Sequence, residues 1–186
     1  MFYAVIHRPE IDTKKIEEVR STYDPYFKLI DAHITLVFPF DAAGIEMTQL
    51  NVHVQNIANQ TKQFRVQLNT LELAWDQWLF LTTTKGKVRL CAIHDELYTG
   101  VLKGFLRDDI KYIPHIGLGH FAIANSGYTL KDPAATHLDE DRYTIARAEI
   151  EAKQLDFTYT ATAVELISVN DEFTKTEILA SFSFKD

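Results

Sequence analysis

Several scarcities narrow the class of this chain. It has a single cysteine, Cys91, in 186 residues. No intrachain disulfide and no cysteine-rich zinc framework can be built from it, and the scarcity fits a reducing compartment. Proline and glycine are few, at 5 and 7 residues, and no Pro/Gly/Ser linker, low-complexity tract or solenoid repeat interrupts the sequence. No apolar run approaches a membrane span, so no membrane partner is expected. The opening residues 1–9 lack a basic stretch followed by a long apolar run and a small-residue cleavage site, which predicts no export signal and a cytoplasmic location. Positive charge is also short: 19 Lys and Arg stand against 26 Asp and Glu, a formal net charge of -7. With a pI near 5.5, a long duplex nucleic acid is not an expected partner, because such binding rests on phosphate neutralisation over a wide surface. A small anion held in a local site is compatible with that balance.

What is present is ordinary globular material. Hydrophobic residues make up 46% and charged residues 24% of the chain, with a mean hydropathy of -0.13. The length suits one domain over 1–186, made of two lobes with no linker. Periodicity predicts a strand over 2–6, then a helix capped by Asp12 or Thr13 that carries Ile16, Val19 and Tyr23 and ends at Asp24-Pro25. A strand over 32–40 and a helix bearing Met47, Leu50, Val54 and Ile57 come next. Segments 64–73 and 78–84 read as a strand pair, and Leu90, Ile93, Leu97, Val101 and Phe105 mark one long amphipathic helix. A strand over 112–122 precedes a loop holding Asn125-Ser126-Gly127 and Asp132-Pro133. A helix over 144–155 and two strands, 157–169 and 178–184, complete the pattern. The expected fold is α+β and mostly antiparallel: two pseudo-symmetric sheets facing a central cleft, with helices outside.

Two short segments resemble each other, Ala32-His33-Ile34-Thr35-Leu36 and Pro114-His115-Ile116-Gly117-Leu118, with their histidines 82 positions apart (115 minus 33). Strand alternation puts His33 and Thr35 on one face and Ile34 and Leu36 on the other. The same alternation pairs His115 with Gly117. Two imidazoles facing one another across a cleft can act as general base and general acid on either side of a phosphorus atom. A hydroxyl such as that of Thr35 can donate to a non-bridging phosphate oxygen. This scheme needs no metal and no cofactor. The bland alternative for His33 and His115 is a pair of buried, hydrogen-bonded structural histidines.

At these residues the chain resembles the 2H phosphoesterase superfamily, which contains the 2'-5' RNA ligases and RNA 2',3'-cyclic phosphodiesterases and has two His-x-Thr/Ser motifs in two pseudo-symmetric lobes. His33-Ile34-Thr35-Leu36 matches the first motif in full. His115-Ile116-Gly117-Leu118 matches the second except for Gly117, which replaces the hydroxyl residue and removes one phosphate contact. The resemblance implies His33 and His115 as the acid–base pair, Thr35 and Gly117 at the substrate, and a nucleotide or RNA terminal phosphate as partner. The implied substrate is a 2',3'-cyclic phosphate; 2'-5' ligation belongs to the same resemblance. A feeble or inactive member that only binds nucleotides or RNA ends is the alternative.

Other candidates weigh less. His120 lies five residues after His115, an odd offset that turns it to the other face of a regular strand unless Gly119 introduces a bulge. His53 and His137 read as solvent-facing, and Cys91 with His94 as helix core rather than a nucleophilic dyad. Gly117 to Ala122 fits G-x-G-x-x-A in letters, but in a strand-like context that argues against dinucleotide binding. Phe38, Phe40, Tyr112 and Phe121 flank the motifs as candidate base-stacking residues or as core. Arg8 and Lys111 are candidate local positive charges.

Overall fold

The computed structural model describes residues 1–41, 43–123 and 137–186. The expected turn residues 125–127 and 132–133 lie outside the described residues. Among the described residues eight strands form two four-stranded sheets, antiparallel throughout. β1 (Phe2–His7), β2 (Ile34–Asp41), β7 (Ala163–Val169) and β8 (Thr176–Ser183) make one, in the order β2-β1-β7-β8. β3 (Phe64–Ala74), β4 (Trp78–Lys85), β5 (His115–His120) and β6 (Phe157–Ala161) make the other, in the order β5-β4-β3-β6. The helices are α1 (Lys14–Tyr23), α2 (Met47–Gln60), α3 (Lys87–Leu97) and α4 (Glu140–Ala152), with a 3-10 segment at Gly100–Phe105. Among the described residues no helix is long and apolar enough to cross a membrane.

Both sheets contribute to one buried cluster, with Val5, Leu36 and Leu166 from the first and Leu68, Leu81 and Ile116 from the second. Helix faces follow the expected stripes: Ile16, Val19 and Arg20 on α1, and Leu50, Val54 and Ala58 on α2, are buried. α1 ends at Tyr23 because Pro25 disfavours helical geometry at the residue before it, and Asp24 is extended at φ -98° and ψ 113°. α2 packs on β7 and β8, α3 on β2 and α1 on β5.

Three expected elements come out differently. The helix read as continuous to Phe105 breaks after Leu97: His53 Nε2–H donates to the Leu97 carbonyl at 2.9 Å, and Gly100 takes φ +52° before the 3-10 segment. His53 is therefore a capping side chain and not a solvent-facing one. The single strand read over 157–169 is two strands in two sheets. Phe64 pairs with Ala161 on one side of Thr162, and Ala163 with Ser183 on the other. A one-residue crossing leaves the apolar alternation unbroken, so the pattern cannot reveal it. Finally, β2 begins at Ile34, and Ala32 and His33 lie off its ladder, because Ala32 N–H bonds sideways to Glu17 Oε1 at 2.6 Å.

Candidate active site

The two histidine strands are the edge strands of their sheets, and they lie against each other. Each is bulged at the same place. In β2, Thr35 pairs with Ile6 and Val37 with Val5, leaving Leu36 as the extra residue. In β5, Gly117 pairs with Phe80 and Gly119 with Leu79, leaving Leu118 extra. Burial follows suit. His33, Thr35 and Phe38 are partly exposed while Ile34, Leu36 and Val37 are buried, and His115, Gly117 and His120 repeat that sequence of classes around Ile116, Leu118 and Gly119. A bulge inserts one residue and so reverses the alternation beyond it. His120 is thereby returned to the face of His115 and Gly117, against the expectation for a regular strand.

The outer edge of β2 is sealed by side chains instead of a further strand. Tyr112 Oη donates to the Thr35 carbonyl at 2.8 Å, His94 Nδ1–H donates to the Leu36 carbonyl at 2.8 Å, and Phe38 N–H donates to Tyr98 Oη at 3.0 Å. His94 also stacks on Tyr112, with ring centroids 3.7 Å apart and an interplanar angle of 1°. These partners satisfy main-chain groups that an edge strand otherwise leaves open. They also account for His94 and Tyr112, neither of which is free for a nucleophilic dyad or for stacking a base. On β5, close approach sets the sequence: a Cβ on Gly119 would lie 2.5 Å from Tyr23 Cβ, so α1 packs this tightly only over glycine.

His33 and His115 have matching surroundings. His33 Nδ1–H donates to the Asp31 carbonyl at 2.8 Å and His115 Nδ1–H to the Ile113 carbonyl at 2.5 Å, each two residues back. A carbonyl can only accept, so both rings carry their proton on Nδ1 and keep the Nε2 lone pair. Burial pushes the pKa of each down to about 4. The carbonyl bond opposes this in both rings, while Arg20 and Arg8 lower His33 further. His115 is lowered in addition by the charge of His33, so each imidazole is within electrostatic reach of the other. Both are neutral at pH 7.

The surroundings of this pair are polar on the β2 side and aromatic on the β5 side. No described group hydrogen-bonds the Thr35 hydroxyl, whereas its carbonyl accepts from Tyr112. Arg8 reaches Glu165 Oε2 at 3.2 Å and Asp31 Oδ2 at 3.5 Å, which keeps a cation near His33. On the β5 side, Phe80 stacks on His115 at 3.5 Å between centroids, and Trp75 meets the same ring edge-on at 5.2 Å. The Trp78 indole lies 3.5 Å from where a Gly117 Cβ would sit and stacks on Tyr26 and His120. Of the expected aromatics only Phe38 joins this wall, edge-on to Trp75; Phe40 and Phe121 are core. Lys111 and His137 are exposed. Sequence reading missed Trp75, Trp78 and Phe80, although the chain's two tryptophans stand three residues apart around the β3–β4 turn, a signal open to notice. Gly117 to His120 is strand, so the dinucleotide lettering has no turn before a helix to act through.

Two antiparallel sheets whose bulged edge strands, each headed by a histidine, lie against each other define an α+β fold. The chain belongs to the 2'-5' RNA ligase superfamily, whose family model matches residues 8–171. Among curated relatives, a protein of Geobacillus thermodenitrificans named "Putative phosphoesterase" is 26% identical over 102 residues, 54% of this chain and 57% of its own length. The match thus spans somewhat over half of that relative. One from Bacillus licheniformis, similarly named, is 23% identical over 121 residues, 62% of this chain and 69% of the relative. Among solved structures, a phosphoesterase crystal structure shares the fold at TM-score 0.64 and 14% identity, covering 100% of this chain and 99% of that one. E. coli LigT complexed with 3'-AMP aligns at TM-score 0.61 and 14% identity over all of both chains.

Proposed function

We propose that this chain is a metal-independent phosphoesterase that opens a 2',3'-cyclic phosphate on a nucleotide or an RNA end, with His33 and His115 as its acid–base pair. The observation that carries the reading is the matched imidazole geometry: two rings at the heads of neighbouring edge strands, each with Nδ1–H tied to a carbonyl two residues back and Nε2 left free. LigT, a structural neighbour, is described in complex with 3'-AMP, ATP and phosphate, which supports a nucleotide-sized phosphate ligand here.

In the reaction, one neutral imidazole takes a proton from water as the water oxygen bonds to phosphorus in line with a ring oxygen. The P–O bond to that oxygen breaks, and the other imidazole, protonated, gives it a proton. A 2'-phosphate remains, and the two histidines end with exchanged protonation states that solvent resets. Because burial holds both rings neutral at pH 7, the acid's proton enters with the anion, whose negative charge favours the imidazolium. The Thr35 hydroxyl donates to a non-bridging oxygen, and Gly117 leaves the second such position to water or a main-chain N–H.

The test is turnover of nucleoside 2',3'-cyclic phosphates and cyclic-phosphate RNA ends in the presence of a chelator, repeated with His33→Ala and His115→Ala. Each substitution is expected to lower kcat on the order of a hundredfold to ten-thousandfold. Turnover that survives both sinks the mechanism. The missing hydroxyl at Gly117 favours one second reading, a protein that binds such ends without turning them over, and binding without turnover would select it.

A further inference from the structure

Residues 24–33 join α1 to β2 and deliver His33, and one buried side chain holds this segment. Arg20 lies on the apolar stripe of α1 at 2% exposure. All three of its donor directions are used: Nε donates to Asp24 Oδ2 at 2.8 Å, Nη1 to Glu17 Oε2 at 2.8 Å and Nη2 to the Ile30 carbonyl at 2.7 Å. Both carboxylates then grip the segment with their remaining oxygens. Glu17 Oε1 accepts from Ala32 N–H at 2.6 Å, and Asp24 Oδ1 from Tyr26 N–H at 2.8 Å. The main chain is therefore fixed immediately before and after Asp31, whose carbonyl is the acceptor for His33 Nδ1–H.

A buried ion cluster is weak evidence for stability, since apolar residues of similar volume often serve a core as well or better. What this one supplies is direction. A guanidinium holds three acceptors in one plane, which an ammonium on a flexible stem does not. We propose that Arg20, acting through Glu17 and the main chain of Ile30 and Ala32, is a positioning residue for His33: it aims the Asp31 carbonyl and so fixes the ring plane and the tautomer that leave Nε2 free. This rests on the reading of His33 as half of the acid–base pair. Arg20 also adds to the field at His33, together with Arg8 and against Asp31. The other imidazole supplies an internal control, because His115 donates to Ile113 in a segment that the Arg20 cluster does not bond.

The experiment compares wild type with Arg20→Lys, which keeps the charge and loses the planar fork, and with Glu17→Gln, which removes one of the two acceptors. Histidine side-chain 15N–1H NMR of the full chain without ligand reads tautomer and titration midpoint; kinetics on a nucleoside 2',3'-cyclic phosphate read function. In Arg20→Lys, His33 is expected to lose its single Nδ1–H tautomer and, without the carbonyl bond that favours its charged form, to titrate lower, while His115 keeps its Nδ1–H tautomer. In the same variant kcat should fall on the order of tenfold to a hundredfold with KM within about twofold. Glu17→Gln should move His33 the same way by less, and it carries the test if Arg20→Lys does not fold. A wild-type His33 tautomer and midpoint in the folded variants, whatever happens to Tm, overturns the proposal; so does an altered His33 with unchanged kcat. A wild type that cleaves no cyclic phosphate defeats the reaction proposed above, and the tautomer measurement still decides for or against the positioning role.

Discussion

Leu36 and Leu118 occupy one position in two different sheets: each is the extra residue of a bulge, three residues after a histidine and buried beneath it. The doubling explains why the residues two further on, Phe38 and His120, rejoin the histidine face. His120 uses this to hold the β3–β4 turn, since its Nε2–H donates to the Asp76 carbonyl at 2.8 Å. The turn needs holding, because Asp76 and Gln77 sit at φ 52° and 67°, where non-glycine residues are strained.

Acidity should act on the paired imidazoles in a defined direction. Both titrate near 4 in the folded chain against 6.5 for a free ring, so between those values the unfolded chain binds more protons. Folding stability therefore rises with pH across about 4 to 6.5 and falls on acidification. Thermal melts at pH 7 and pH 5 should show a lower Tm at pH 5, with a smaller drop in His33→Gln and His115→Gln. Inorganic phosphate should raise the midpoint of at least one of the two rings by NMR. Midpoints that ignore phosphate would separate the pair from any anion site.

Two glycines two residues apart should respond oppositely. A Cβ at Gly117 meets only the Trp78 indole at 3.5 Å, an ordinary contact. Gly117→Ser is expected to fold normally and to tighten phosphate binding by up to about tenfold, the worth of one added hydrogen bond; a phosphate titration measures it. Gly119→Ala puts its methyl 2.5 Å from Tyr23 Cβ, and chemical denaturation should report a loss of about 1–3 kcal/mol, the usual cost of overpacking.

Tyr112→Phe removes the hydroxyl that caps the Thr35 carbonyl and nothing else in that stack. The expected cost is about 0.5–1.5 kcal/mol by denaturation, with a fall in kcat on cyclic phosphate if the strand carrying Thr35 is loosened. Tyr98→Phe, which frees Phe38 N–H, should cost a similar amount.

Both tryptophans of the chain neighbour a β5 imidazole, Trp75 beside His115 and Trp78 beside His120. A protonated imidazole quenches indole emission, so intrinsic fluorescence should fall on acidification as His115 and His120 charge. His115→Gln should remove the component belonging to Trp75. Emission indifferent to both substitution and pH would contradict this packing.

Much of this architecture could be read from period and punctuation. The stripe Ile16, Val19 located α1, Asp24-Pro25 ended it, and the motif pair picked out two strands that the fold does bring together. What escaped was whatever depends on partners distant in sequence. Nothing local to Thr162 announces that the chain changes sheets there, and nothing local to His-Ile-x-Leu announces a bulge, because the extra residue is defined only against Ile6 and Val5 or Phe80 and Leu79. Trp78 reaches β5 through the register of β4 on that strand and Trp75 through the turn before it, and the role of Arg20 rests on acceptors at Asp24, Glu17 and Ile30 that a helical stripe does not reveal.

The crossing at Thr162 also governs how the molecule can come into being. The first sheet draws strands from both ends of the chain and the second mostly from the middle, and after residue 156 the first takes two of its four strands and the second takes one. β7 lies between β1 and β8, so the sheet beside His33 has no interior seam until the last third of the polypeptide is available. During synthesis the lobes cannot mature in turn, and pairings of such long sequence separation favour slow folding. Severed at 152, neither fragment would hold a whole sheet, so the two histidines come into register in one late step.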